Sequence, residues 1–356
     1  MRCATRRDVR ALILIAVALC GCVHWDVTLK IHEDGRVEGR SGEATWTAQY
    51  PVNDGQIWAG YSTNKWLPGV RFDSAERTTL RLKLEVPDGW TSAGTFEVEQ
   101  PTPPFLFAWA AGKFTRTELQ QDGHLFVALN GTPEALAKTA AMARFLEQRT
   151  GLALPVRTYT QIFVHGDAAQ EAVGLALIGE DALHDPDSEW VFIHELAHQW
   201  FGVSLKCADF DDFWLNEGFA TFFVAAWFEQ TKGRAAYDEE LAHWQARSDK
   251  VRAEGKDAPL SLAPPGQPRP HTPESKLQPR GVTYFRGALF LHQLRTELGD
   301  ETFWAVIREY VRANAGRDVT SEDFLRALES VTKRDWKEAF AERVYSVQGS
   351  EPKIRK

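Results

Sequence analysis

The chain has 356 residues, a length that suggests about two domains at ~100–200 residues each. Hydrophobic residues make up 44% of it, which is ample for a sizeable core, and the formal net charge is −8. The sequence contains no basic stripe interleaved with aromatic residues, so nucleic acid is excluded as an expected partner. The acidic balance is better explained by solubility than by substrate choice.

The N-terminus has the pattern of an export signal. Four arginines precede a short apolar run, Ala11 to Leu19, which is too short to span a bilayer as a helix. The run ends in LCGC and resembles a bacterial lipoprotein signal. We therefore expect residues 1–21 to be removed and Cys22 to carry a lipid that anchors the chain to a membrane. An ordinary signal peptide, cut nearby, is the alternative.

This interpretation predicts an exported lipoprotein of a bacterial cell envelope, on the periplasmic or outer-surface side. The cysteine count agrees with it. Cys3 and Cys20 leave with the signal and Cys22 is lipidated, so Cys207 has no partner and no internal disulfide is expected. We expect Cys207 to be a small buried apolar residue rather than a metal ligand.

Residues 22–130 are predicted to form an N-terminal β domain. The segment HWDVTLKIHEDGRVEG alternates with period two and turns at Asp34 and Gly35, and TTLRLKLEVPDGW alternates in the same way. Short strands at intervals of about ten residues indicate an antiparallel β-sandwich or a saddle-shaped sheet.

The pattern changes near Thr132, and residues 131–356 are predicted to form a second domain. TPEALAKTAAMARFLEQRTG has helical apolar spacing, with an N-cap at Thr132 and a stop at Gly151. VRTYTQIFV and VGLALIG read as strands, and amphipathic helices follow to the end of the chain. The expected fold class is α+β.

A pair of histidines in the segment HELAHQWFG predicts a metal site. His194 and His198 are four residues apart, so they lie on one face of a helix and can reach the same ion. Glu195 follows the first histidine and can accept a proton from a metal-bound water. We expect this helix to end at Gly202.

A third ligand is expected from the segment WLNEGFA, eighteen residues after His198. Glu217 lies there among apolar residues, and a buried carboxylate is costly unless it is paired or binds a metal. Two histidines and one carboxylate leave a fourth position open, which is typical of catalytic zinc. The sequence therefore predicts one Zn²⁺ per chain.

These two segments resemble the zinc signature of peptidase family M1, the aminopeptidase N and leukotriene A-4 hydrolase-like gluzincins. AAQEAVGLALIGE is similar to the family's Gly-Ala-Met-Glu-Asn segment and its following strand, and TYFRGALFLHQL to its Tyr-Glu-Lys-Gly helix start. The resemblance covers roughly residues 100–349. It implies a thermolysin-like catalytic domain after the β domain.

The resemblance also implies further site residues. Tyr284 corresponds to the family's catalytic tyrosine, which donates a hydrogen bond to the oxyanion. Glu171 corresponds to the glutamate that binds the α-amino group of a peptide, although Ala172 replaces the family's asparagine. Asp212 corresponds to the aspartate before Trp-Leu-Asn-Glu-Gly, and we expect it to support a zinc histidine.

The resemblance implies a zinc metallopeptidase, with an aminopeptidase as the first hypothesis. Family members usually add a large helical C-terminal domain, whereas this chain stops at Lys356, so a short form with a more open cleft is expected. An endopeptidase with the same chemistry is therefore a real alternative. An inactive peptide-binding lipoprotein is a further one. Substrate preference and oligomeric state stay open.

Overall fold

The computed structural model describes residues 23–60, 66–67, 77–263 and 278–347. The predicted signal segment and Cys22 lie outside these residues. Within the described ranges, no helix has both the length and the apolar character that a membrane span requires.

The chain forms two compact units. The described residues within 1–137 and 156–188 form the strand unit, and those within 138–155 and 189–356 form the helical unit. The α+β class is confirmed, with sheets first and helices after them.

Thirteen strands are described in the strand unit. They are β1 (Val23–Ile31), β2 (Arg36–Ser41), β3 (Ala44–Gln49), β4 (Gln56–Ala59), β5 (Thr78–Glu85), β6 (Thr91–Gly94), β7 (Glu97–Thr102), β8 (Trp109–Gly112), β9 (Arg116–Gln121), β10 (His124–Leu129), β11 (Thr158–Val164), β12 (Ala169–Ala172) and β13 (Leu175–Gly179). They form sheets in the orders β3-β2-β1-β5-β7, β4-β8-β6 and β12-β13-β11-β10-β9.

The first hairpin forms as its alternating pattern predicts. Strands β1 and β2 pair antiparallel, and Gly35 in the turn has φ +86°, a conformation that glycine adopts without a steric cost. Val27 and Leu29 on β1 are fully buried while Asp26 and Lys30 are exposed, so one face of the sheet packs into the core.

The compact units do not divide the chain at residue 130. Strand β10 pairs in parallel with β11, and β11 pairs in parallel with β13, so the strands beyond that position complete the same sheet. Parallel neighbours need a crossover connection, and the segment between β10 and β11 contains helix α1 (Pro133–Thr150). Thr132 Oγ1 accepts a hydrogen bond from Ala135 N at 3.2 Å, so the predicted N-cap is confirmed.

The helical unit contains seven further described α-helices. They are α2 (Glu189–Ala197), α3 (Trp214–Lys232), α4 (Arg234–Ala253), α5 (Gly287–Leu298), α6 (Asp300–Asn314), α7 (Ser321–Thr332) and α8 (Lys337–Arg343). A π-helical turn, Gly281–Arg286, leads directly into α5, and two-residue strands β14 (Lys206–Cys207) and β15 (Asp318–Val319) pair in parallel. Cys207 is buried, as expected.

Helix α3 is the centre of this unit because every residue from Trp214 to Phe228 is buried. A helix that is apolar all round packs on all sides. Phe219 on α3 stacks on Phe201 at a centroid distance of 4.6 Å and on Tyr310 of α6 at 5.5 Å. Packing of this kind fixes the helices that carry the site.

The prediction that the histidine helix runs to Gly202 is wrong. Helix α2 ends at Ala197, where backbone bonds from Gln199 N to Leu196 O and from Trp200 N to Ala197 O tighten the turn. His198 keeps its α-helical bond to His194 O at 3.3 Å. The chain then reverses toward β14, with φ +135° at Gly202.

Candidate metal centre

Three predicted ligand atoms converge inside the helical unit. His194 lies near the end of α2, His198 directly follows that helix, and Glu217 lies in the first turn of α3. The Nε2 atoms of the two histidines are 3.2 Å apart. Glu217 Oε2 lies 3.4 Å from His194 Nε2 and 3.5 Å from His198 Nε2. All three residues are at most 5% exposed.

The tautomer of His198 follows from its surroundings. Its Nδ1 lies 3.0 Å from the carbonyl oxygen of Phe201, so Nδ1 carries the proton and donates it. The Nε2 atom therefore presents a lone pair to the other two ligand atoms. A single proton bridges at most two such atoms, whereas a divalent cation can accept electron pairs from all three.

Glu217 places a buried carboxylate beside the two histidines. Both of its carboxylate oxygens are buried and neither accepts a hydrogen bond from a described residue. Burial by itself raises the pKa of this carboxyl group. The two histidines outweigh burial, with His198 contributing most, and lower the pKa to about 2. Burial lowers the pKa of His194. The site is therefore in the form that binds metal, with a neutral imidazole beside a carboxylate.

The spacing fits zinc. Ligand distances of about 2.0–2.1 Å at tetrahedral angles place neighbouring ligand atoms roughly 3.3–3.4 Å apart. The observed separations are 3.2, 3.4 and 3.5 Å. Two histidines and one carboxylate leave a fourth position for water or substrate, the arrangement of catalytic sites.

Glu195 follows His194 on α2 and is only 3% exposed. A carboxylate oxygen of Glu195 lies within 4.8 Å of a ring nitrogen of His198, so Glu195 is next to the three candidate ligands. Its place on the helix suits a proton acceptor, with Glu217 as the candidate carboxylate ligand.

Tyr284 lies against the ligand cluster. Its ring is parallel to that of His194, with centroids 5.8 Å apart and planes 7° apart. Tyr284 belongs to the π-helical turn rather than to a regular helix, and such turns often occur at functional sites. The stacking brings a phenol next to a metal-ligand imidazole.

Two glycines set the distance between the helix of Glu217 and the turn of Tyr284. A Cβ atom on Gly218 would lie 3.0 Å from Gly287 Cα and 3.2 Å from Thr283 O. Helices α3 and α5 therefore approach each other at backbone distance. Sequence reasoning did not single out this pair, although each glycine follows a candidate site segment.

A buried ion pair holds the π-helical turn from its other side. Arg286 is 3% exposed and its Nη1 contacts Asp257 Oδ1. Arg252 Nε lies 3.6 Å from the other oxygen of Asp257. The pair ties the turn carrying Tyr284 to the segment after α4, and nothing in the local sequence pairs residues 29 positions apart.

Asp212 is fully buried in a short polar chain. Ser321 Oγ donates to Asp212 Oδ1 at 2.6 Å, and Trp214 Nε1 donates to Ser321 Oγ at 2.8 Å. The contacts link the segment before α3 to the start of α7. Support of a zinc histidine by Asp212 stays a prediction.

Glu171 lies in the strand unit. It is on β12, the edge strand of its sheet, opposite Ala176 of β13, and is 1% exposed. Burial of a carboxylate at an edge strand is costly unless a donor or cation compensates it, which suits a binding role.

Trp190 is a site neighbour that sequence reasoning missed. It is 44% exposed, and its ring meets His194 edge-on at a centroid distance of 6.1 Å. The sequence spacing already predicts this contact, because Trp190 precedes His194 by four residues and so lies one helical turn before it. His194 therefore has aromatic neighbours in Trp190 and Tyr284.

Comparison with known proteins agrees with this site. The model of the peptidase family M1 domain matches residues 134–343. Aminopeptidase N of Streptomyces lividans is 26% identical over 310 residues, covering 75% of this chain and 35% of the relative. Glutamyl aminopeptidase of Bos taurus is 28% identical, covering 71% of this chain and 28% of the relative. The chain thus spans about a third of the length of these relatives.

A solved structure shares the fold over almost the whole chain. The M1 zinc metallopeptidase of Deinococcus radiodurans superposes with a TM-score of 0.70 at 20% identity, over 94% of this chain and 96% of that one. A two-domain M1 zinc metallopeptidase bound to L-tryptophan gives a TM-score of 0.71 at 20% identity, over 93% and 95%. Because the family model covers more than half of the chain, this protein belongs to peptidase family M1.

Proposed function

We propose that this protein is a zinc-dependent aminopeptidase, which removes residues from the N-terminus of peptides. The observation that carries the proposal is the convergence of His194, His198 and Glu217 at separations of 3.2 to 3.5 Å. The buried carboxylate among them accepts no hydrogen bond from a described residue. Membership of family M1 supports it.

The three ligand residues would hold the ion. A zinc ion bound there supplies a water of lowered pKa, near ~7, and polarises the scissile carbonyl. Glu195 accepts the proton of the attacking water and returns it to the leaving amine. Tyr284 donates a hydrogen bond to the oxygen that becomes negative in the tetrahedral intermediate.

Glu171 is proposed to bind the free α-amino group of the substrate. A carboxylate that faces an ammonium makes a charge-assisted hydrogen bond, which is stronger than a neutral one. That contact would set the distance from the N-terminus at which the chain is cut. The support is the match of residues 168–180 to the family segment and the burial of Glu171.

Structural neighbours support a peptide as the substrate class. A variant of the Deinococcus radiodurans M1 zinc metallopeptidase is bound to the substrate Tyr-Ser-Ala, and a two-domain neighbour is bound to L-tryptophan. A tripeptide and a free amino acid are the substrate and product types of N-terminal trimming. We propose short peptides for this chain as well.

The decisive experiment measures metal and turnover together. The purified protein should contain one zinc per chain and hydrolyse leucine anilide. Glu195→Gln should keep the zinc and lose turnover, because the ligands are intact but the proton acceptor is gone. If the purified protein contains no metal and added zinc does not activate it, the proposal is wrong.

A substrate with a blocked N-terminus separates the endopeptidase alternative. An aminopeptidase cleaves the anilide and leaves an N-acetylated peptide of equal length intact. Glu171→Gln should weaken only the reaction of the free-amine substrate. Cleavage of the blocked peptide alone would remove the amine-binding role of Glu171.

We also propose that the protein acts in a bacterial cell envelope, anchored by a lipid on Cys22. Support comes from the sequence of residues 1–22. Mass spectrometry of the mature N-terminus tests it, with Cys22→Ala as the control that should release the protein from membranes. An unmodified mature N-terminus overturns the anchor and leaves the peptidase proposal untouched.

A further inference from the structure

Arg280 places a positive charge at the edge of the metal centre. It immediately precedes the π-helical turn, it is exposed, and its guanidinium carbon lies 5.3 Å from the centroid of the Tyr284 ring. A cation over an aromatic face at this distance is attracted by the ring. The contact keeps the guanidinium near the proposed oxyanion donor.

Among the residues that the structure describes, no carboxylate forms an ion pair with Arg280. This is unlike Arg286 six residues on, whose charge is matched by Asp257.

We propose that Arg280 is a specificity-determining residue that binds a carboxylate of the peptide substrate. The inference rests on the proposed peptidase function. Among the side chains placed at the centre so far, the carboxylates of Glu195 and Glu217 are acidic, and neither attracts an anionic part of a substrate. A guanidinium already held against an aromatic ring loses less conformational freedom when it binds a planar carboxylate than a free one does.

The distances suit a short peptide. The two centroid separations, 5.3 Å and 5.8 Å, place the Arg280 guanidinium no farther than about 11 Å from the His194 ring, and two to three extended residues span this at ~3.3–3.6 Å each. The carboxylate has two possible sources. It is the C-terminal group of a dipeptide or tripeptide, or an acidic side chain of a longer one.

Peptide binding without turnover tests the inference. The zinc-loaded Glu195→Gln protein is titrated with the tripeptide Leu-Ala-Ala and its C-terminal amide, and Kd is measured by calorimetry. We expect the free acid to bind about 3- to 10-fold more tightly, the size expected of a partly solvated charge-assisted contact. The ratio of the amide Kd to the free-acid Kd should fall to about one in Arg280→Gln. In Arg280→Lys this ratio should keep an intermediate value.

A matched control uses another exposed arginine of the helical unit. Arg312 pairs with Glu309 on its own helix, so Arg312→Gln makes the same charge change and should leave the ratio unaltered. The amides of Leu-Asp-Ala and Leu-Asn-Ala distinguish the second source, because only the aspartyl peptide carries a carboxylate. If the Kd ratio of either peptide pair depends on Arg280, the inference is supported and that pair identifies the source of the carboxylate.

Two outcomes overturn the inference. If Arg280→Gln changes Kd equally for acid and amide, or for neither, Arg280 does not bind a carboxylate. Such a result leaves the peptidase proposal standing as long as the wild-type protein cleaves the amides. If no peptide binds and the wild-type protein cleaves none, the proposed function fails, and this inference fails with it.

Discussion

Tyr284 stacks face to face on His194, with ring planes 7° apart and centroids 5.8 Å apart. The two residues are 90 positions apart in sequence and belong to different helical segments. The stack therefore ties the position of the proposed oxyanion donor to that of a proposed metal ligand. A movement of the π-helical turn would shift the positions of both the Tyr284 phenol and the His194 imidazole.

Removing the hydroxyl of Tyr284 separates its proposed chemistry from its packing. Tyr284→Phe keeps the ring on His194, so zinc content should equal that of the wild type. The loss of one oxyanion donor should lower kcat by ~10²–10³, with a much smaller change in KM. Steady-state kinetics with metal analysis checks this. A near-normal kcat would remove Tyr284 from the mechanism.

Gly218→Ala should destabilise the protein although alanine is the better helix former. Alanine in a helix interior gains about 1 kcal/mol over glycine, but here its Cβ would lie 3.0 Å from Gly287 Cα. Pushing α3 from α5 should cost ~1–3 kcal/mol and lower kcat, because Glu217 and Tyr284 move apart.

Thermal unfolding and kinetics measure the two effects of Gly218→Ala. The control is Ala225→Gly on the same helix, which should lower stability by about 1 kcal/mol from propensity and leave kcat unchanged. A rise in melting temperature for Gly218→Ala would show that the two helices can separate without cost.

Asp257→Asn should leave a buried positive charge without its partner. Arg286 is 3% exposed, and breaking a buried pair from one side costs about 3–5 kcal/mol. Urea unfolding should show this loss, and kcat should fall because Arg286 lies in the turn of Tyr284. Asp257→Asn combined with Arg286→Met should recover most of the stability.

An exposed pair provides the comparison for Asp257. Glu254 and Lys256 form an ion pair at the surface, so Glu254→Gln should change stability little. If Glu254→Gln and Asp257→Asn lower the free energy of unfolding equally, burial of Arg286 does not determine the stability that its ion pair contributes.

The Asp300–Arg295 pair predicts how stability depends on pH. Arg295 donates from Nε and Nη2 to the two oxygens of Asp300, each at 2.8 Å, and these bonds lower the pKa of that carboxyl group. A lowered folded-state pKa stabilises the fold above the unfolded value, near ~3.9, and this contribution disappears as pH falls through the folded value.

Melting temperatures of the wild type and Asp300→Asn across pH test this linkage. The wild type should melt higher between pH ~5 and ~8, and the difference should shrink on acidification below pH ~4. Asp300 is also in the first turn of α6, where a negative charge favours the helix dipole, so both effects have the same sign. A difference that widens in acid would contradict this account.

Much of the fold was accessible from local pattern. The capping box of Thr320 and Asp323 at α7 and the hairpin of β1 and β2 follow from short-range rules, because the interactions that form them span a few residues. The early end of α2 did not follow. It depends on a reversal of the chain into β14, whose partner strand β15 is more than a hundred residues away.

The sequence by itself determined the candidate ligand set, because His194 and His198 need only helical spacing and Glu217 only a motif and an apolar neighbourhood. What the tertiary structure decided are the contacts between distant segments: Tyr284 on His194, Arg280 over Tyr284, and the backbone approach of α3 and α5. Periodicity specifies which face of a helix is apolar. Side-chain packing decides which other element meets that face, and at what distance.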